Sequence, residues 1–256
     1  MPQSKKKFFV DGEKDQVVSA VVHEPKNSND TKGTVVFCHG LGSDKEGSYK
    51  RRCRYLDKKG FRAIRFDFRG NHESSLDFIE SNITTRIKDL ETVLKNITTG
   101  KPLLVHGTSF GGLVSILSSV KPGLKEYIDC LVIKSPVTYL EGLDKIISEI
   151  RENGFYEQLP GKKLDKKFIE DVENYSTEKI VKDIKIPVLI IHGGKDEVVP
   201  ITFSEKFYDS LETEKSFVKY KTQGHRFDVS EDMSSLEKSL RFFEKNMLEK
   251  DMEKTA

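Results

Sequence analysis

The 256 residues contain no tryptophan, only three cysteines and no apolar run suited to crossing a bilayer. Each absence excludes something. Cys38, Cys53 and Cys130 form no C-x-x-C pair, so neither a zinc knuckle nor a dithiol redox motif is encoded. Their odd number leaves at least one thiol unpaired. Cys38 and Cys130 lie inside apolar, strand-like runs and read as small core residues of a reducing, cytoplasmic compartment. The uncharged stretch from Pro102 to Val120 includes His106, three glycines and four serines, which suits a buried strand–turn–helix and no membrane span. The N-terminal MPQSKKKFFVDG is basic without an apolar core, so it does not read as a signal peptide. A dominant sign of charge is also missing: 43 Lys and Arg face 41 Asp and Glu, for a net +2. That balance argues against a dedicated nucleic-acid surface, and with 36% hydrophobic residues it argues against disorder.

What is present is a regular alternation. Phe8–Val10 and Val17–His23 flank Asp11-Gly12 as an opening hairpin. Short apolar runs at Thr34–His39, Arg62–Asp67, Leu103–His106, Cys130–Ile133, Val188–His192 and Ser216–Lys221 read as strands. Helical patterns lie between them at Tyr49–Lys59, Ile83–Ile97, Phe110–Val120, Thr202–Leu211 and Met233–Lys245, with the charged tail Glu244–Ala256 as a frayed extension of the last helix. Continuous apolar strands alternating with helices predict an α/β fold, a mostly parallel doubly wound sheet covered on both faces, as one domain over residues 1–256. The interval between Pro136 and Pro187 breaks the rhythm. It is long, charged and helical in pattern, with no strand expected before Val188, so residues 137–185 read as a small helical insertion over the sheet. Such an insertion is either a lid that contacts substrate or a set of ordinary surface helices.

Gly107-Thr108-Ser109-Phe110-Gly111 matches G-x-S-x-G. The five-residue pattern alone is weak, but an apolar strand runs directly into it and a helix directly out. A sharp strand-to-helix turn projects the serine Oγ clear of the sheet and demands small residues two positions either side. A serine needs a base and an orienting acid before it is a useful nucleophile. Downstream histidines are His192 and His225; His192 closes an apolar strand and reads as structural, whereas His225 follows the last strand in a loop. Asp196, on the loop after Val188–His192, is the acid candidate, and the side chain of its neighbour Glu197 should project differently. An oxyanion hole requires two preset backbone donors. The Phe110 N–H is one, and the Leu41 N–H in His39-Gly40-Leu41-Gly42 is the other, with His39 holding that loop by hydrogen bonds.

Together these motifs resemble the α/β-hydrolase superfamily, in particular its feruloyl (cinnamoyl) esterases and serine-aminopeptidase-like lipolytic proteins. The matching segments are HGLGSDKEG (39–47), RFDFRGNHES (65–74), ITTRIKDLETVL (83–94), GTSFGG (107–112), IPVLIIHGGKDEVVP (186–200) and GHRF (224–227). The resemblance implies Ser109 as nucleophile, His225 as base, Asp196 as acid, Leu41 and Phe110 as oxyanion donors, and neither metal nor organic cofactor. It also implies that residues 137–185 form a lid over an acyl pocket. Three features depart from the pattern. Asn71-His72-Glu73-Ser74 stands where the family reads His-Gly-x-Ser, Thr108 precedes the serine in place of the commoner His, and the insertion is charged and lacks Trp. The last argues against a pocket built for aromatic acyl groups.

The expected activity is hydrolysis of a small-molecule carboxylic ester through an acyl-enzyme, failing on acidification as the imidazole base gains its proton. The same triad permits acyl transfer and amide cleavage. A non-catalytic binding protein on this fold is the remaining class, but such members lose at least one triad residue and none is missing here. Lys134 and Lys195, near strand ends, hint at acidic ligands. Oligomeric state has no signature in the sequence.

Overall fold

The computed structural model describes residues 3–27, 31–97 and 102–255, with the side chains of 248–255 excepted. Eight strands form one sheet: β1 (Gln3–Phe9), β2 (Val17–His23), β3 (Thr34–Cys38), β4 (Arg62–Phe66), β5 (Leu103–Thr108), β6 (Cys130–Lys134), β9 (Val188–Gly193) and β10 (Lys215–Tyr220). Their spatial order is β1-β2-β4-β3-β5-β6-β9-β10. The first hairpin is antiparallel, β2 runs antiparallel to β4, and every pairing from β4 to β10 is parallel.

Alternation along each central strand divides the interior in two. Val36 and Cys38 of β3, Val105 of β5, Leu131 and Ile133 of β6 and Ile190 of β9 face one core, against α2 (Ile83–Asn96) and α3 (Phe110–Ser118). Val35, Phe37, Leu104, Cys130, Val132, Leu189 and Ile191 face the other, against α1 (Ser48–Lys58) and α8 (Val229–Thr255). Period-two side chains that are apolar on both faces are what a doubly covered parallel sheet requires. All three cysteines are buried within these layers and none is disulfide-bonded. Helix starts follow local chemistry: the Asn82 side chain accepts from Thr85 N (2.8 Å) while Thr85 Oγ1 accepts from Asn82 N (2.9 Å). Asp228 Oδ1 accepts from Glu231 N (2.9 Å), so α8 begins four residues before the expected Met233. Its backbone remains helical to Thr255, and Ala256 lies outside the described residues.

The chain between Pro136 and Pro187 is not purely helical, which corrects the sequence expectation. It carries a 3-10 turn at Leu140–Leu143, α4 (Asp144–Asn153), an antiparallel hairpin of β7 (Tyr156–Leu159) and β8 (Lys162–Leu164), then α5 (Lys166–Val172) and α6 (Thr177–Ile180). Two four- and three-residue strands with charged, exposed positions leave no apolar run to read. The insertion is fastened to the sheet layer because Asp171 of α5 accepts from Ile83 N (2.8 Å) and Thr84 N (3.2 Å) at the start of α2. Helix α7 (Ile201–Ser210) then covers β9 and β10.

Chain order reverses between β3 and β5: β4 lies on one side of β3, and the chain then crosses back to place β5 on the other. In open α/β sheets the crevice at such a reversal, outside the carboxyl ends of the strands, is where ligands bind.

Candidate active site

Ser109 lies at that crevice, directly after β5 and at the N-terminus of α3. Its backbone takes φ 55° and ψ −123°, a conformation costing about 1–3 kcal/mol in a residue other than glycine. The turn is held on both sides: Ser109 N donates to Lys134 O (3.0 Å), and Ser109 O accepts from Gly112 N (2.8 Å) and Val137 N (3.2 Å). At Gly111 a Cβ would collide with the carbonyls of Cys38 and His39, so glycine lets α3 start directly against the end of β3.

Three side chains from separate loops converge. His225 Nε2 lies 3.0 Å from Ser109 Oγ. His225 Nδ1 lies 2.9 Å from Asp196 Oδ2 and 3.0 Å from Oδ1. A carboxylate facing Nδ1 assigns the proton to that nitrogen, leaving the Nε2 lone pair toward the serine hydroxyl. The loops after β9 and β10 can approach this closely because at Gly193 a Cβ would collide with the carbonyls of Gln223 and Gly224. Gly194 N donates to Tyr220 O (2.8 Å) and Lys195 N to Gln223 O (2.9 Å), stitching the two loops together. Glu197 is exposed and takes no part in this convergence.

Asp196 is more heavily supported than the sequence shows. Its Oδ1 accepts from Val198 N and Val199 N, each at 2.9 Å. Its Oδ2 lies 3.1 Å from His192 Nε2. The His192 nitrogen also faces Val199 O (3.0 Å), so two acceptors assign its proton there, and Ser204 Oγ donates to Nδ1 (2.8 Å). Burial opposes ionisation of Asp196, but the hydrogen bonds from His192, His225 and Val199 outweigh it and hold the carboxyl well below the usual carboxylate range. His192 therefore remains a buried structural histidine, as expected, yet its partner is the acid itself.

Beside the serine, the loop leaving β3 passes close: a Cβ on Gly40 would lie 3.3 Å from Ser109 Cβ. His39 holds that loop, donating from Nδ1 to Gly40 O (2.8 Å) and accepting at Nε2 from Phe68 N (3.1 Å). Burial pushes its pKa well below the usual imidazole value, so the ring stays neutral. Neither Leu41 N nor Phe110 N has a hydrogen-bond partner among the described residues. Two unclaimed donors thus flank the serine turn.

Two neighbouring features take other roles. Lys134, whose place near a strand end gives a faint hint of acidic ligands, is buried with Asp232 Oδ1 at 2.6 Å; the same carboxylate binds Arg52, and Lys195 is exposed. The pairing joins β6 to α8 across 98 residues, which no local pattern reveals. Asp67, His72 and Glu73 place three potential cation ligands within 4.8 Å of one another. The Lys45 ammonium already sits among them, paired with Asp67 and 2.8 Å from Glu73. His72 has φ 45°, so it adopts the left-handed turn for which the resembling family uses glycine.

The family model of the prolyl oligopeptidase family matches residues 47–250. The lysophosphatidylserine lipase ABHD12 of Danio rerio is 27% identical over 214 residues, covering 80% of this chain and 54% of that protein. The mitochondrial palmitoyl-protein thioesterase ABHD10 of Pongo abelii is 26% identical over 194 residues, covering 69% and 61%. The chain thus spans about half to three fifths of these two curated relatives. Among solved structures, Est1E of Butyrivibrio proteoclasticus with bound ferulic acid superposes with a TM-score of 0.77 at 22% identity, covering 95% of this chain and 98% of that one. Among the described residues no helix is long and apolar enough to cross a membrane. With four fifths of its length matched by one family model and its sheet built on the α/β-hydrolase plan, the chain belongs to the prolyl oligopeptidase family of α/β hydrolases.

Proposed function

We propose that this protein is a serine hydrolase that cleaves carboxylic esters through an acyl-enzyme intermediate. The observation carrying this reading is the unbroken path from Ser109 Oγ through His225 to Asp196, 3.0 and 2.9 Å long at its two links. In the reaction, Ser109 Oγ attacks the ester carbonyl while His225 Nε2 takes the hydroxyl proton. Asp196, ionised across the working pH range, fixes the imidazole orientation and stabilises the cation that forms. The tetrahedral oxygen then receives the Leu41 and Phe110 N–H groups, which need not first leave an acceptor among the described residues. His225 returns its proton to the leaving alcohol, and water repeats the sequence to release the acid. The insertion at 137–185 acts as the lid, and a reducing compartment suits the three buried thiols.

The relatives named as a lipase and a thioesterase both act on acyl groups, which supports an acyl substrate here. The family name supplies a second reading, amide cleavage by the same residues. The test is turnover of short para-nitrophenyl esters beside a prolyl-peptide anilide, for wild type and Ser109→Ala. Ester turnover should exceed anilide turnover and fall by about a million-fold in kcat in the variant. It should also decline on acidification with the loss of one proton-accepting group, since Asp196 remains a carboxylate there. Equal rates for wild type and variant contradict the mechanism, and preferential anilide cleavage contradicts the ester assignment.

A further inference from the structure

Arg86 on α2 is fully buried, yet its Nη1 and Nη2 have no hydrogen-bond partner among the described residues. Among the described residues its one hydrogen bond runs from Nε to Ser81 Oγ, at 3.1 Å. The nearby acid on the same helix, Asp89, accepts from the backbone N–H and Nε of Arg69 and makes no bond to Arg86. Burial pushes the guanidinium down to about 10, so it remains a cation at neutral pH. A buried cation with its forked donors open is costly unless something supplies the matching oxygens.

The position of this cation is informative. Its central carbon lies 4.8 Å from the Phe68 ring centre and 5.2 Å from that of Phe110. Phe110 carries one of the open N–H groups beside Ser109. The Phe68 ring packs edge-on against His39, 5.0 Å between centres, one residue before Gly40. Arg86 therefore backs onto the two segments that supply the oxyanion donors. From the insertion, Lys162 Nζ reaches Gly42 O (2.6 Å) and Asn71 Oδ1 (3.3 Å), with no carboxylate in ion-pair contact among the described residues. Burial pushes the Lys162 ammonium below the usual lysine range, and the Arg86 charge adds to the effect. Asp44 and Asp67 act on Lys162, and Asp89 on Arg86, only from beyond ion-pair distance, so neither cation has a paired carboxylate among the described residues.

We propose that the substrate ester carries an anionic group, a carboxylate or a phosphate, which Arg86 binds through Nη1 and Nη2 while Lys162 supports it from the β7–β8 hairpin. A planar guanidinium fork matches two oxygens of such a group at once. This inference rests on the ester-hydrolase reading and adds the substrate class to it.

The experiment compares kcat/KM within two matched pairs. One pair is para-nitrophenyl hydrogen adipate against its neutral methyl ester, with the charge on the acyl side. The other is a lysophosphatidic acid against the neutral monoacylglycerol, with the charge on the alcohol side. Wild type should favour the anionic member of at least one pair by about tenfold or more. Arg86→Met should bring that ratio to about one, and Arg86→Lys should restore part of it, as a point charge replaces the fork. Circular dichroism establishes that the variants fold; should Arg86→Met fail to, Lys162→Met must lower the ratio several-fold. A ratio near one in both pairs for wild type, with Ser109-dependent turnover of the neutral esters, overturns the anion site and leaves the hydrolase intact. A ratio unchanged in every folded variant overturns the assignment to these residues. No turnover of any ester overturns the hydrolase reading and this inference with it.

Discussion

On the β9–β10 side of Ser109 the catalytic candidates are closed on one another, whereas on the β3–β4 side the donors stand open. His225, Asp196, His192 and Ser204 form one chain in which each side chain has a partner within the protein. Across the serine, Leu41 N, Phe110 N and two nitrogens of Arg86 have none among the described residues. The contrast separates two tasks. A proton relay works best when its tautomers are fixed before the substrate arrives, so its hydrogen bonds are internal. Groups that stabilise charge on the substrate must keep their capacity until that charge appears.

Substitutions on the closed side sharpen this contrast. Asp196→Asn should cost most, about ten-thousand-fold in kcat toward a neutral ester, because an amide can present an N–H to His225 and reverse its tautomer. Steady-state kinetics with intact circular dichroism checks it; a loss below tenfold would mean that the carboxylate merely fills space. His192→Phe should cost less, about tenfold in kcat with little change in KM, since it removes one of several hydrogen bonds to the same carboxylate. A change confined to KM would instead assign His192 to substrate binding. Neither substitution should alter the anionic-to-neutral preference ascribed to Arg86, which belongs to the open side.

Much of this architecture is legible in the sequence because its signals are local. Apolar runs such as VLIIH mark buried strands, and Ile83, Ile87, Leu90 and Leu94 mark the inner face of α2. The serine turn, the acid and the base each follow a strand, so their order along the chain already suggests one edge of a sheet. What escapes is non-local or conceals its period. The β7–β8 hairpin is too short and charged for an alternation to stand out, although Pro160-Gly161 at its tip, with Gly161 at φ 79°, is a turn signal. Lys134 looks like a strand-end cation until the fold supplies Asp232. Arg86 had a signal in retrospect: one residue before Ile87 and three after Ile83, it is a charge set into the apolar stripe of an amphipathic helix. Read as a helix position it is an irregularity; packed against Phe68 and Phe110 it becomes a donor in search of an acceptor.

The most direct measurement of the central claim is intact-mass analysis after exposure to a fluorophosphonate, followed by peptide mapping. A serine activated by His225 and flanked by two open N–H groups should take up one phosphonyl group, located on Ser109, and His225→Ala should slow that labelling severely. A folded wild-type protein that stays unmodified, or that carries the group on another residue, would contradict the account.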